Sequence, residues 1–105
     1  MAVSKKEEFN KTDIEVAEIA KALSHPARIK ILKILNDLDS CMVGNIVDLL
    51  PLSQSTVSQH LSELKRVGLI QGEIEGPKIC YCLKPDVIEK AKKEFSKLFT
   101  QVCKC

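Results

Sequence analysis

The stretch LLPLSQSTVSQHLSELKRVGLI, residues 49–70, decides the fold. Pro51–Ser53 interrupts two runs with helical apolar spacing, and the Ser53 hydroxyl can accept from the open N–H groups of a following helix. In that helix the apolar positions repeat at i, i+4 and i+7 as one buried stripe, formed by Val57, Leu61 and Leu64. Gly68 can take the positive φ that ends a helix. The stretch has the form of the second half of a helix-turn-helix.

The opposite face of this predicted helix carries short or flexible polar side chains. At about 100° per residue, four of them point away from the stripe and a fifth lies beside them: Ser55, Gln59, Ser62 and Arg66, with Ser58. Such side chains hydrogen-bond to base edges and phosphates, and a helix fits the major groove of DNA. An ordinary solvated face, the alternative, mixes Glu and Lys freely, whereas the only acid here is Glu63, to one side. The face therefore predicts DNA reading.

Composition sets the class of the protein. The chain has 105 residues, 45% of them hydrophobic and 29% charged, which is typical of one globular domain with a modest core. A formal charge of +2 is too small to indicate nucleic acid by itself. However, residues 53–105 hold more basic than acidic side chains and residues 1–52 the reverse. The half with the candidate reading helix is therefore the positive one.

The sequence also predicts a compartment. It has no long apolar run for a membrane span, and its start, MAVSKKEEFNK, lacks the apolar core of a signal peptide. We therefore expect a cytoplasmic protein whose five cysteines are reduced thiols, available as ligands or redox switches rather than as structural disulfides.

Apolar spacing divides the chain into a flexible N-terminus (residues 1–10), one domain (11–102) and a Cys-containing tail (103–105). Within the domain we expect a first helix at 11–23 and a second, central to the core, that Ser24 caps with Pro26 in its first turn. An extended piece at 41–43 and a short helix at 44–50 precede the reading helix. Two strands, 69–74 and 78–83, follow it, and the last helix is capped by Asp86.

The last helix has a narrow apolar seam with steps of 3, 4, 3 and 4 residues. Its members are Ile88, Ala91, Phe95, Leu98 and Val102, with Phe99 beside them. This is the spacing of helices that pack along each other. The seam predicts a homodimer interface, which suits a palindromic DNA site, and packing on the chain's own core is the alternative.

The order of elements resembles the ArsR/SmtB family of small dimeric winged-helix repressors. The resemblance rests on ALSHPARIKILKIL (22–35), LSQSTVSQHLSELKRVGLI (52–70) and the wing end YCLKP (81–85), and it covers roughly residues 14–100. It implies a mainly α fold with a small β-wing, and a repressor that leaves operator DNA when a metal ion, metalloid or oxidant binds. It also places six residues at the start of the reading helix: Ser53, Gln54, Ser55, Ser58, Gln59 and His60. Lys78 is the one basic residue of the wing, which also carries Glu73 and Glu75.

The sequence departs from the family in its ligand motifs. Only Cys41 lies near the position where well-known arsenite sensors carry Cys-x-Cys-x-x-Cys, and no His follows His60 to form a zinc or nickel site on the last helix. The resemblance implies that the short strand before the helix-turn-helix pairs with the second wing strand. Cys41 then neighbours Cys80 and Cys82, which share one face of their strand at period two.

These three thiols predict an inducer site. Thiolates select soft ions, and trivalent arsenic or antimony takes three sulfurs, so Cys41, Cys80 and Cys82 suffice for arsenite or antimonite. No cofactor is obligatory. One alternative is that the cysteines are buried fillers of a strand face. Another is a thiol-redox switch, with a strained and reducible Cys80–Cys82 disulfide. Cys103 and Cys105 form a second pair on the tail, either idle or a second site.

Other functions have less support in the residues. The chain has no Ser-His-Asp set, no paired catalytic carboxylates and no Gly-rich phosphate loop, so nothing indicates an enzyme. A protein-binding winged helix would expose an acidic or apolar face where this one carries Ser and Gln. A thiol-rich metal buffer does not fit cysteines spread over a complete DNA-binding fold.

Overall fold

A computed structural model describes residues 8–37, 42–43, 50–75 and 78–103. The elements, in chain order, are α1 (Lys11–Ala22), α2 (Pro26–Asp37), β1 (Met42–Val43), α3 (Gln54–Arg66), β2 (Ile70–Glu75), β3 (Lys78–Leu83) and α4 (Pro85–Val102). They confirm the predicted mainly helical fold with a small wing. The predicted short helix at 44–50 lies outside the described residues, apart from Leu50. No helix in the described part of the chain is long and apolar enough to cross a membrane.

The start of α2 differs from the prediction. His25, not Ser24, caps the helix, because its Nδ1 accepts from the backbone N–H of Ala27 at 3.0 Å. Ser24 instead donates from its hydroxyl to the carbonyl of Lys21 at 2.6 Å. It therefore satisfies the open carbonyl end of α1, which sequence spacing alone does not distinguish from a cap on the next helix.

The core lies where α2, α3 and the sheet meet. The predicted stripe of α3 is confirmed, since Val57, Leu61 and Leu64 are all buried. They pack in one cluster with buried side chains of α2 and of the start of β2: Ile31, Leu35, Leu69 and Ile70. Burial of these apolar groups is the main force that holds α3 on the body of the protein.

The end of α3 also agrees with the prediction. Gly68 has a φ of +83°, and its N–H donates to the carbonyl of Lys65 at 3.0 Å. The N–H of Leu69 donates to the carbonyl of Leu64 at 3.1 Å. These two bonds close the helix and turn the chain directly into β2.

The three strands form an antiparallel sheet in the order β1-β3-β2. β1 pairs with β3 through Met42 opposite Tyr81 and Val43 opposite Cys80. β2 and β3 form the wing, from Ile70 opposite Leu83 to residue 75 opposite residue 78. The predicted pairing of the strand before the helix-turn-helix with the second wing strand is therefore confirmed.

The last helix starts two residues earlier than a cap at Asp86 requires. Pro85 is its first residue, the cap position is Lys84 without a side-chain cap bond, and Asp86 lies in the first turn. An acid there still stabilises the positive end of the helix dipole. The capping prediction was therefore wrong, while the predicted helix is present.

The apolar seam of α4 divides into two halves. Ala91 is buried and Ile88 packs against the core. Farther along, Leu98 is 38%, Phe99 62% and Val102 60% exposed. The first half therefore packs on the chain's own core, which was the alternative prediction, and the second half remains on the surface.

Candidate nucleic-acid interface and thiol site

The start of α3 is held by a small hydroxyl network. The Ser53 hydroxyl oxygen lies 3.3 Å from the backbone N–H of Thr56, from which it accepts, and 2.9 Å from the Thr56 hydroxyl, to which it donates. The Ser55 hydroxyl lies 3.2 Å from it. The predicted cap is confirmed, and it fixes the helix end whose N–H groups attract anions such as phosphate.

Beyond this cap, α3 exposes a continuous polar face. The predicted contact residues that are exposed in the structure are Ser53, Gln54, Ser55, Ser58, Gln59, Ser62 and Arg66. Lys65 is exposed in the same helix, and the prediction missed it. Because Val57, Leu61 and Leu64 face the core, the polar face points outward, as docking in a groove requires. Lys78 starts β3, and its side chain lies outside the described part of the structure.

His60 does not belong to this face. It is only 6% exposed, and its Nδ1 accepts from the Nε–H of Arg28 at 3.0 Å. The ring of His25 lies 4.4 Å from its ring, centroid to centroid. The placement of His60 among the DNA contacts is therefore corrected to a buried histidine between α2 and α3.

The cluster keeps His60 neutral. Burial is the first cause that lowers its pKa, and the charges of His25 and Arg28 lower it further. The Nδ1 of His60 accepts the hydrogen bond from Arg28, so a proton on that atom would break this contact. The guanidinium of Arg28 also donates to the carbonyls of Lys21 and Ala22, each at 3.3 Å. Arg28 thus joins the end of α1 to the reading helix.

Arg66 forms a second contact between α3 and α1. Its guanidinium contacts Glu63 and Glu18, each at 2.8 Å. The hydrogen bond to Glu63, and then the one to Glu18, raise the pKa of Arg66, and the bond to Arg66 lowers the pKa of Glu63. Its proposed phosphate contact stays a prediction, and it requires the exposed guanidinium to share or exchange these carboxylates.

The β3 thiols lie on the sheet face that turns away from the core cluster. Tyr81 and Leu83 pack against that cluster, and Cys80 and Cys82 alternate with them. Cys80 is nevertheless only 2% exposed, and Cys82 is half-buried. The two cysteines therefore share one face, as predicted.

The state of Cys82 differs from the expected reduced thiol, because Cys82 is disulfide-bonded. Neither Cys80 nor Cys103 is its disulfide partner. The Cys80–Cys82 disulfide considered under the redox alternative is therefore not the bond that the structure contains. Strand geometry explains this, since residues i and i+2 sit at the wide end of disulfide spacing.

The remaining predicted ligands are only partly described. Cys103 is exposed at the end of α4, while Cys41 and Cys105 lie outside the described residues. Within residues 8–37, 42–43, 50–75 and 78–103, no group of three or more His, Cys, Asp or Glu could hold a metal ion. The three-cysteine site therefore stays a prediction that depends on Cys41.

The helix-turn-helix end, the outward polar helix and the two-stranded wing define a winged-helix DNA-binding protein. The family model described as "Bacterial regulatory protein, arsR family" matches residues 25–71. A HTH-type transcriptional regulator of Methanocaldococcus jannaschii is 37% identical over 72% of this chain and 85% of its own. The cadmium resistance transcriptional regulatory protein CadC homolog of Staphylococcus aureus is 34% identical over 84% and 76%.

A solved structure agrees with these relatives. An ArsR-like transcriptional regulator from a Rhodococcus species superposes with a TM-score of 0.72 at 25% identity, over 88% of this chain and 86% of that one. The chain belongs to the ArsR family of transcriptional regulators. It is therefore a DNA-binding regulator and not an enzyme.

Proposed function

We propose that the protein is a homodimeric repressor that binds operator DNA through α3 and leaves it when the thiols of β3 react with an inducer. The observation that carries the proposal is the exposed polar face of α3, which presents Gln54, Ser55, Ser58, Gln59 and Ser62 outward. Its amides and hydroxyls can read base edges in the major groove, while the capped helix end positions phosphate.

Dimerisation is supported by α4. Leu98, Phe99 and Val102 expose apolar surface in one turn of the helix, next to a groove of about 810 Å³ along α1. The rings of Phe95 and Phe99 stack with centroids 6.3 Å apart, which forms a rigid apolar ridge. A second copy would bury this ridge, and a two-fold axis would then present two α3 helices to a palindromic operator.

The inducer we favour is a thiophilic metalloid, arsenite or antimonite. Cys80 and Cys82 lie on one face of β3, and Cys41 is the third proposed ligand. Three thiolates match the pyramidal preference of trivalent arsenic, and no oxygen ligand is needed. The name of the staphylococcal relative connects that protein with cadmium, another soft ion.

Thiol oxidation is the second candidate, and the disulfide at Cys82 favours it. With hydrogen peroxide or an alkyl hydroperoxide as oxidant, two thiols lose two protons and two electrons, one S–S bond forms, and the O–O bond is reduced to two waters or to one alcohol and one water. A disulfide at Cys82 removes one of the three thiolates that a metalloid needs. The two inducers are therefore mutually exclusive at this residue.

The test uses a fluorescent duplex that the reduced protein selects from a random DNA pool. We expect stoichiometric arsenite to release it in reducing buffer, and Cys80→Ser, Cys82→Ser and Cys41→Ser to bind the duplex like the parent but to keep it after arsenite is added. Cys103→Ser is the matched control and should respond as the parent does.

Three other outcomes would change or contradict the proposal. Release by peroxide, with no response to arsenite or antimonite, would replace the metalloid with an oxidant. A response that disappears in Cys103→Ser but persists in Cys80→Ser and Cys82→Ser would move the sensor to the tail. Failure of the parent to enrich any duplex from the pool would contradict the operator-binding repressor itself.

A further inference from the structure

A cavity of about 380 Å³ lies between α1, α2, α4 and the end of the sheet. Leu23, Leu32, Leu83 and Phe95 are among the apolar side chains that form its walls. None of them contributes to the polar face of α3 or to the cysteine face of β3. The volume is within the range of small-molecule sites, which are mostly apolar with a few polar groups that orient the ligand.

The charges that line this cavity are all positive. Among the residues that the structure describes, Lys33 of α2 and Lys92 of α4 are the charged residues of its lining, and Asn36 is the other polar one. Neither lysine forms an ion pair with any residue that the structure describes. Both side chains are exposed, so each ammonium group can stay in water. The methylene groups of each lysine can then pack along the apolar edge of the cavity.

A neighbouring cavity shows that this charge pattern is not general to the fold. It has the same volume of about 380 Å³ and also lies against α1 and α4. Its lining, however, includes three glutamates with Arg66 and Lys90. Two ion pairs, Arg66 with Glu18 at 2.8 Å and Lys90 with Glu15 at 3.2 Å, satisfy charges within that lining. Of these two cavities, as lined by the described residues, the first offers positive charge without an ion-pair partner next to an apolar interior.

We infer that the cavity between α2 and α4 binds a small amphipathic carboxylate, such as a medium-chain alkyl or an aryl carboxylate. The apolar part enters the cavity and is removed from water, which supplies most of the affinity. The carboxylate stays at the opening of the cavity, where Lys33 and Lys92 form ion pairs with it. The side-chain amide of Asn36 can donate a hydrogen bond to it. A cationic ligand of the same shape would be repelled by the two ammonium groups and would not bind.

The test titrates octanoate into the reduced full-length protein by calorimetry and follows the melting temperature in parallel. Octyltrimethylammonium, which has the same chain and the opposite charge, is the comparison ligand. We expect octanoate to bind and to raise the melting temperature, and the cation to do neither. Octanoate binding should weaken at higher salt, because exposed ion pairs are screened.

A charge-reversed variant, Lys33→Glu with Lys92→Glu, should weaken octanoate binding about tenfold or more and should bind the cation instead. The matched control is Lys30→Glu with Lys93→Glu. These lysines are exposed on the same two helices and line neither cavity, so the net charge changes equally. The control should bind octanoate within about threefold of the parent.

Three results would overturn the inference. The first is no octanoate binding at millimolar concentration. The second is equal loss of binding in the reversed and control variants, which would mean a general charge effect. The third is octanoate binding by a monomeric Leu98→Glu variant but not by the parent, which would mean that a second copy of the chain covers the cavity.

Discussion

The helices α3 and α4 share an amphipathic pattern, yet their outer faces differ. In α3 the apolar stripe is buried and the exposed face is polar, so one copy of the chain covers all the apolar side chains of this stripe. In α4 only Ala91 is buried, and apolar side chains continue onto the surface at Leu98, Phe99 and Val102. The comparison teaches that burial of the stripe, and not its spacing, distinguishes a helix whose apolar side chains are covered by its own core from one that leaves apolar side chains exposed.

Removing a core side chain from α3 should give the largest effect. Leu64 is fully buried, so Leu64→Ala leaves a cavity and should lower the free energy of unfolding by about 2–5 kcal/mol. Leu98→Ala, on the exposed part of α4, is the matched control and should cost less than about 1 kcal/mol in the monomer. Urea denaturation measures both. Equal losses would remove the distinction between the two helices.

A charge on α4 should instead affect association. Leu98→Glu places a carboxylate where the proposed dimer buries apolar surface, and it should weaken dimerisation by about 3 kcal/mol, roughly a hundredfold. Sedimentation equilibrium measures this against Lys93→Glu on the same helix, which should remain dimeric. A Leu98→Glu protein that stays dimeric but melts earlier would show that the seam faces its own core.

On α3, the exposed face should matter for DNA and not for folding. Gln59→Ala should weaken binding to a selected duplex by about 1–3 kcal/mol and leave the melting temperature unchanged, since Gln59 is exposed. Arg66→Ala should weaken binding to all duplexes and flatten the salt dependence if its guanidinium reaches phosphate. Parent-like binding by both variants would contradict the placement of the reading face.

The smallest expected effect is a pH dependence of the free energy of unfolding, which arises from the buried His60 of α3. The folded protein holds the pKa of His60 below its ordinary value of 6.5, so the unfolded chain binds more protons below that pH. Stability from His60 is therefore complete above pH 6.5 and is lost as the pH falls towards the folded pKa. Denaturation at several pH values measures it, and Arg28→Met, which removes one of the depressing charges, should flatten the profile. An NMR titration that gives His60 a raised pKa would overturn the argument.

Local patterns predicted α3 well because its signals are local. The Ser53 cap, the stripe and the positive φ of Gly68 all depend on residues within a few positions of each other. His60 is different, since Arg28 reaches it from 32 positions away, and only the folded chain brings them together. Arg66 likewise finds Glu18 from 48 positions away. Spacing on α3 alone could not reveal either contact.

The thiol site was predictable only in part. Period two correctly placed Cys80 and Cys82 on one face, and the pairing of β1 with β3 was also correct. The alternation of side chains along β3 did not predict how buried each cysteine is. Cys80 is only 2% exposed, although it lies on the face that turns away from the core cluster. The disulfide at Cys82 was not expected either, because the cytoplasmic compartment assumed from the sequence implies reduced thiols.

The position of β3 in the middle of the sheet has a kinetic consequence. The wing is a local hairpin, whereas pairing Met42 with Tyr81 closes a loop of about 40 residues that contains all of α3. Local contacts form faster, so we expect β1 to dock after the wing hairpin has formed. β1 has only two residues, and Val43 lies opposite Cys80. Short edge strands open far more often than the core unfolds. We therefore expect the pairing of Val43 with Cys80 to open more often than the β2–β3 hairpin on the other side of the same strand.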